Sequence, residues 1–183
     1  DHIINPHKEL VNELYKEARS YIRETYDTYA SLHNAKDTWK YFKRFQKGWE
    51  YPSHWRKKVL HDGCIIEEEL LDENKLAKDK SQCVVESLDI SPSHKYMTFG
   101  VDYSGSENYE FVITDLKTRK NLVHTIPKLA YCSYLWAGDS MIYYFVGDES
   151  NRIYQLWMYN LSNGISYKIY EETNPDYNLG GEL

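Results

Sequence analysis

Leu10, Leu14, Ala18, Tyr21, Ile22, Thr25, Tyr29 and Leu32 recur at three- and four-residue spacing, the period that gathers side chains on one face of a helix. Asn5 suits an N-cap and Pro6 the first helical position. The spacing predicts one amphipathic helix of about seven turns. Its stripe is rich in Tyr, which suits a face packed on protein that keeps its hydroxyls near water. Lying on a membrane surface is the alternative. Glu9, Glu13, Glu17 and Glu24 on the outer face disfavour it, because they would repel anionic lipid.

Beyond this segment the period shortens. "TWKYFKRF" partly alternates, "QKGWE" supplies a turn and "YPSHWRKK" resumes extended structure, which predicts a hairpin with one buried aromatic face and one solvated basic face. From about residue 82 onward the chain reads as short strands between turn signals, as in "SPSHKYMTFGVDYSGSENYEFVITDL" at 91–116. Sliding the chain on itself by 45 residues lays "YMTFGV" on "MIYYFV", "DYSGSE" on "GDESNR", "YEFVITDL" on "YQLWMYNL" and "KTRK" on "SNGI" without a gap. Identities are few: Val101 on Val146, Tyr109 on Tyr154 and Leu116 on Leu161. The order strand, turn, strand, turn, strand repeats nonetheless, and a period of about 45 residues is that of a β-propeller blade. Tyr109 and Tyr154 are therefore expected at equivalent strand positions of successive four-stranded antiparallel sheets. The fold class expected is mostly β with an N-terminal α-helix, a partial β-propeller whose ring is incomplete. The divisions are a helical segment at 1–37, a partial first blade at 38–80, blades at 81–128 and 129–173, and the start of another at 174–183.

Composition changes this picture little. With 183 residues, 42% hydrophobic and 27% charged, the chain has the balance of a soluble globular protein. Its longest apolar run, "MIYYFV", is far short of a membrane span. No signal peptide is evident, and the absence of an initial Met suggests that the natural N-terminus lies upstream. Charge is polarised: the window Trp39 to Lys58 has seven basic residues and one acid, so the remainder carries −12 of a net −6. Seven aromatics are interleaved with those bases, as they would be in a stacking platform for single-stranded nucleic acid. The hairpin explains the same letters and is preferred. The acidic run Glu67 to Glu69 could attract basic peptides, but reads more simply as a solvated strand edge.

Cys64, Cys83 and Cys132 are odd in number and lack CxxC spacing, which points to idle thiols in a reducing compartment, hence a cytoplasmic protein. His61 and Cys64 with Cys83 lack a fourth ligand at zinc-like spacing, so no metal site is assigned. No cofactor motif occurs, whether a phosphate-binding Gly loop, HExxH or a calcium loop. "NLS" at 160–162 fits a glycosylation sequon but reads as a turn.

The run "LLDENKLAKDKSQCVVESLDISPSHKYMTFGVDYSGSENYEFVITDLKTRK" resembles the early propeller of the prolyl oligopeptidase family, where "LLD-N-LA" leads into "SPD---LAY--D--G-E-Y---V-DL-TG". The matching positions are Leu70, Leu71, Asp72, Asn74, Leu76, Ala77, Ser91, Pro92, Asp102, Gly105, Glu107, Tyr109, Val112, Asp115, Leu116 and Thr118. "YFKRFQKGWEYPSHWRKK", "EEELLDEN" and "YEETNPDYNLGGEL" are most similar to the oligopeptidase B branch, which cuts short peptides after Lys or Arg. The similarity spans about 39–183. Departures are His94 where an Asp-rich turn is common, Arg119 in place of a turn Gly, and no "DPY-WLED" wording near Asn5-Pro6.

The resemblance implies that this portion gates and scaffolds a serine peptidase. Its partners would be a C-terminal hydrolase domain of the same protein and, in the complete enzyme, short peptides. Neither membrane nor nucleic acid is an expected partner. No residue here is assigned a catalytic, cofactor-binding or metal-binding role. A serine hydrolase of this type needs a nucleophile on a G-x-S-x-G elbow with His and acid partners, and no such pentad occurs. "GDSM" at 138–141 has no D-x-x-H after it, and the 45-residue overlay puts Ser140 in a turn, so it is not assigned as a nucleophile. The alternative from another class is a stand-alone propeller or sandwich that serves as a protein-interaction module.

Overall fold

The computed structural model describes residues 7–32, 38–107, 109–122, 126, 129–150 and 152–181. Its chain divides into two compact units, 1–74 and 75–183.

The first unit opens with helix α1 (Lys8–Ser20), followed by strands β1 (Tyr26–Asp27), β2 (Ser31–Leu32), β3 (Lys40–Phe45), β4 (Ser53–Val59) and β5 (Ile65–Asp72). The helix is about half the length its apolar spacing predicts. Asn5 and Pro6 lie outside the described residues, and His7 occupies the N-cap without a side-chain cap. The second half of the predicted helix is claimed by the sheet. Tyr26 pairs with Phe45 and stacks on it at 4.7 Å, Asp27 pairs with Arg44, and Ser31 and Leu32 pair with Tyr41 and Lys40. No residue of α1 is buried, and Leu10, Leu14 and Ile22 are exposed along with Tyr29 and Leu32. The sheet order is β1-β3-β4-β5, with β2 also on β3. The predicted hairpin is β3 and β4, paired from Lys40↔Lys57 to Arg44↔Ser53. Its buried residues differ from the expectation: Phe42 is buried, but so are His54 and Arg56, while most of the aromatics are only half-covered.

A single turn of helix, α2 (Glu73–Leu76), follows β5. The second unit then forms two antiparallel sheets in simple up-and-down order. The first holds β6 (Val84–Ile90), β7 (Tyr96–Asp102), β8 (Glu110–Asp115) and β9 (Lys120–Asn121). The second holds β10 (Tyr134–Ala137), β11 (Met141–Gly147), β12 (Ile153–Asn160) and β13 (Ile165–Glu171).

The 45-residue repeat is built into the pairing. Phe99↔Val112 in the first sheet becomes Tyr144↔Trp157 in the second, Tyr96↔Asp115 becomes Met141↔Asn160, and Thr114↔Asn121 becomes Tyr159↔Ser166. Tyr154 is the second residue of β12, whereas Tyr109 immediately precedes β8, so the two occupy equivalent places in the repeat but only Tyr154 lies within a strand. The overlay loosens at the first strand. The β6–β7 turn has five residues and the β10–β11 turn three, so Trp136 lies in a strand where Ser91 does not.

Between these two sheets lies a core of Phe111, Ile113, Leu129, Cys132, Tyr134, Trp136, Ile142, Tyr144 and Tyr159. Each such side chain contributes about 1.5–3 kcal/mol of apolar burial. Two of its polar side chains are hydrogen-bonded: Trp136 donates from Nε1 to Thr98 Oγ1 at 3.0 Å, and the Tyr134 hydroxyl donates to the backbone carbonyls of Ser87 and Thr98. Gly100 on β7 packs closely against Cys132, just before β10. A Cβ there would overlap Cys132 Sγ and lie 3.1 Å from Tyr109 Cβ, whereas the equivalent of Gly100 in the next repeat is Phe145. Three antiparallel sheets of this kind are fewer than the ~4–8 blades that close a propeller ring, so the fold is mostly β with one leading helix and an unclosed partial propeller.

Candidate functional site

The most highly charged surface of the first unit is the β3–β4–β5 face, and cross-strand register builds it. Alternation places Lys40, Phe42 and Arg44 on one side with Ser53, Trp55 and Lys57 opposite them. On the next strand Trp55 faces Glu69, Arg56 faces Glu68 and Lys57 faces Glu67. The acidic run lies on an edge strand, with Glu67 exposed and Glu68 and Glu69 half-buried, and it is also paired with the basic run. Arg44 donates from Nε to Asp27 at 2.8 Å and from an η nitrogen to Glu67 at 3.0 Å, and its guanidinium sits 4.5 Å over the Trp55 ring. Hydrogen bonding to Asp27, then Glu67, raises the Arg44 pKa, and Arg44 in turn holds the Asp27 carboxyl below its ordinary range. Arg56 bonds Glu68 at 2.6 Å and covers Trp39 at 4.2 Å. Lys57 lies over Phe42 and Lys58 over Trp39. Three of the seven interleaved aromatics, Trp39, Phe42 and Trp55, are thus covered by the sheet's own cations.

Two sequence signals converge on the end of this sheet. Asn74 donates from Nδ2 to the Tyr51 carbonyl at 2.8 Å and accepts from the Tyr51 N–H at 3.1 Å, while Asp72 Oδ1 accepts from the Asn74 N–H at 3.0 Å. The "LLD-N" wording therefore ties the "GWEYP" turn to the end of β5. Beside it, His54 Nε2 and Glu73 Oε1 lie 2.6 Å apart, both buried. Sequence reasoning missed this pair, since 19 residues separate its members and a β-bulge between His54 and Trp55 sets the register that aligns them.

Asp102 and Asp148 organise the β7–β8 and β11–β12 connections in the second unit. Asp102 accepts from the Ser104 hydroxyl and from the backbone N–H groups of Ser104, Gly105 and Glu107. These bonds, led by the Ser104 hydroxyl, lower its pKa. Asp148 accepts from the Ser150 hydroxyl and from Arg152 Nε at 3.0 Å, and its pKa falls to about 2. Both loops are thus held by an aspartate that accepts from the turn's own donors, and Arg152 further ties its loop to the carbonyls of Asn174 and Tyr177.

Ser140 lies in the β10–β11 turn, exposed, with its carbonyl accepting from Leu161 N–H at 2.9 Å. No histidine bonds its hydroxyl among the described residues. Cys64 is exposed, Cys83 and Cys132 are buried, and none of the three is in a disulfide; burial pushes the Cys132 thiol up to about 11. His61, Cys64 and Cys83 are not brought together, and no cluster of three or more His, Cys, Asp or Glu side chains able to hold a metal occurs among the described residues. No described helix is long and apolar enough to cross a membrane. Asn160 of the sequon closes the β12–β13 turn, its Oδ1 accepting from Ser162 N–H.

The fold has close counterparts among peptidases. Oligopeptidase B from Leishmania major superposes over 97% of this chain with a TM-score of 0.77 and 22% identity. Oligopeptidase B from Trypanosoma brucei, in a closed form with covalently bound antipain, superposes over 97% with a TM-score of 0.72 and 27% identity. Dipeptidyl aminopeptidase BI from Pseudoxanthomonas mexicana is 26% identical over 165 residues, 81% of this chain. The chain spans 25% of each of those two structures and 22% of the aminopeptidase. A family model for the N-terminal β-propeller domain of prolyl oligopeptidase matches residues 2–183. This chain therefore belongs to the prolyl oligopeptidase family, as its N-terminal β-propeller domain.

Proposed function

We propose that this chain is the N-terminal propeller portion of an oligopeptidase B-like serine peptidase whose complete chain hydrolyses short peptides after Lys or Arg. The observation that carries the proposal is the likeness to Trypanosoma brucei oligopeptidase B at 27% identity across 97% of this chain. The portion gates and scaffolds rather than catalyses. Acyl transfer needs an activated nucleophile and preorganised oxyanion donors, and the 183 residues contain no G-x-S-x-G elbow. The partner is a C-terminal hydrolase domain of the same protein, and the substrates are short, unstructured peptides that the propeller admits. The working compartment is the cytoplasm, in keeping with three cysteines outside any disulfide.

The test is hydrolysis by the complete protein of a fluorogenic peptide series ending in Arg, Lys, Ala or Pro, beside a folded protein carrying the same Arg site. Cleavage of the short Arg and Lys peptides alone supports the proposal. Release of dipeptides without regard to a basic residue would assign the activity in the name of the Pseudoxanthomonas relative instead, and equal cleavage of the folded protein would overturn gating.

A further inference from the structure

Three lysines differ from the arginines beside them. Arg44 and Arg56 each bond a carboxylate, but among the described residues Lys40, Lys57 and Lys58 have none. Asp27 and Glu67, which respectively feel and face Lys57, are both committed to Arg44. Lys57 and Lys58 rest on the Phe42 and Trp39 rings at 4.8 and 4.6 Å. Lys40 and Lys57 stand directly opposite each other across β3 and β4, a like-charge cross-strand pair that destabilises a sheet unless something neutralises it.

All three line a recess of about 250 Å³, with Thr38, Val59 and Ile65. Val59 and Ile65 are 65% and 63% exposed, giving the recess an apolar wall next to its cationic rim. The volume falls just below the ~300–1,000 Å³ of sites that enclose drug-sized ligands, so the occupant must be small. An acidic head would meet the Lys40–Lys57 pair, whose described carboxylate neighbours Asp27 and Glu67 are bonded to Arg44, and an apolar body would cover Val59 and Ile65.

We propose that this recess at the open end of the β3–β4–β5 sheet binds a small amphiphilic anion, a carboxylate or phosphate head on a short apolar body. The ligand's head neutralises the Lys40–Lys57 opposition, and its body removes the Val59–Ile65 wall from water. Neither half alone suffices, because an exposed ion pair contributes only about 0–1 kcal/mol.

Isothermal titration of the full chain tests this, with hexyl phosphate and hexanoate as probes and hexanol and inorganic phosphate as controls. Both probes should bind, and their ranking identifies the preferred head; both controls should bind about tenfold more weakly or not at all. Lys40→Gln, at an exposed position, should leave the melting temperature unchanged within about 1 °C and weaken the probes about fivefold. Ile65→Glu should weaken both probes as much or more, by placing a carboxylate against the head. Failure of both probes to bind would overturn the proposal. So would hexanol binding as well as hexyl phosphate, or probe binding indifferent to both substitutions.

Discussion

Arg119 and Gly164 stand 45 residues apart and occupy the same point of two successive hairpins, both with positive φ, 59° and 69°. Each donates its backbone N–H to the residue four before it, Asp115 and Asn160, whose side chain also accepts from the second residue of its turn, Lys117 or Ser162. The departure from the family's turn glycine thus keeps the turn and forces an L side chain into the left-handed region, at a cost of about 1–2 kcal/mol. Gly164→Ala should destabilise the domain by about 1 kcal/mol, and Arg119→Gly should be neutral or stabilising by up to about 1 kcal/mol, the gain being offset by a looser unfolded chain. Urea midpoints at constant slope measure both. A loss on Arg119→Gly as large as on Gly164→Ala would mean that the two turns are not equivalent.

Gly100 exists for Cys132. Gly100→Ala should cost about 1–3 kcal/mol, because the added methyl meets Cys132 Sγ in a core with no room to shift. Cys132→Ala should cost about 1 kcal/mol alone and recover most of that loss in the double variant. A double-mutant cycle that finds the two effects additive would refute direct contact.

Truncating the buried pair at the end of the first sheet should be severe. His54→Ala leaves the Glu73 carboxylate without its 2.6 Å partner in a site that solvent does not reach, a loss of about 2–3 kcal/mol or more. Glu73→Gln keeps an acceptor for the imidazole and should cost less. Chemical denaturation of the first unit's transition distinguishes the two, and equal losses would argue that packing volume, rather than the hydrogen bond, is what the site supplies.

Acid should weaken the β7–β8 and β11–β12 turns. Asp148 is lowered to about 2 and Asp102 is also lowered, so each favours folding fully above the unfolded aspartate value of about 3.9 and loses that contribution as pH falls through its folded value. The stability difference between the parent chain and Asp148→Asn should be constant above pH 5 and shrink toward zero near pH 2. A difference that grows on acidification would reverse the sign of the linkage.

The blades were legible because both signals behind them are local. Alternation in "YMTFGV" and "MIYYFV" and the turn residues between them recur at one spacing, and identical register in two sheets follows. The leading segment was misread because "TYDTYASL" continues the helical spacing of Leu10 and Leu14, yet its Thr and Tyr residues fit a strand equally well. Stacking of Tyr26 on Phe45 and the Asp27–Arg44 ion pair decide the matter, and neither can be read before β3 is placed. The same holds for Glu67 to Glu69, whose pairing was not legible because nothing in the sequence aligns them with Arg56 and Lys57. Cross-strand register was the missing quantity in each case.

The central claim, that these residues serve a peptidase without performing its chemistry, comes down to one rate. Hydrolysis of a fluorogenic peptide ending in Arg should be absent for the 183-residue chain and present for the complete protein, in which covalent labelling should fall on a serine outside these residues. Turnover by the 183-residue chain that survives controls for contaminating proteases and disappears in Ser140→Ala would contradict the account.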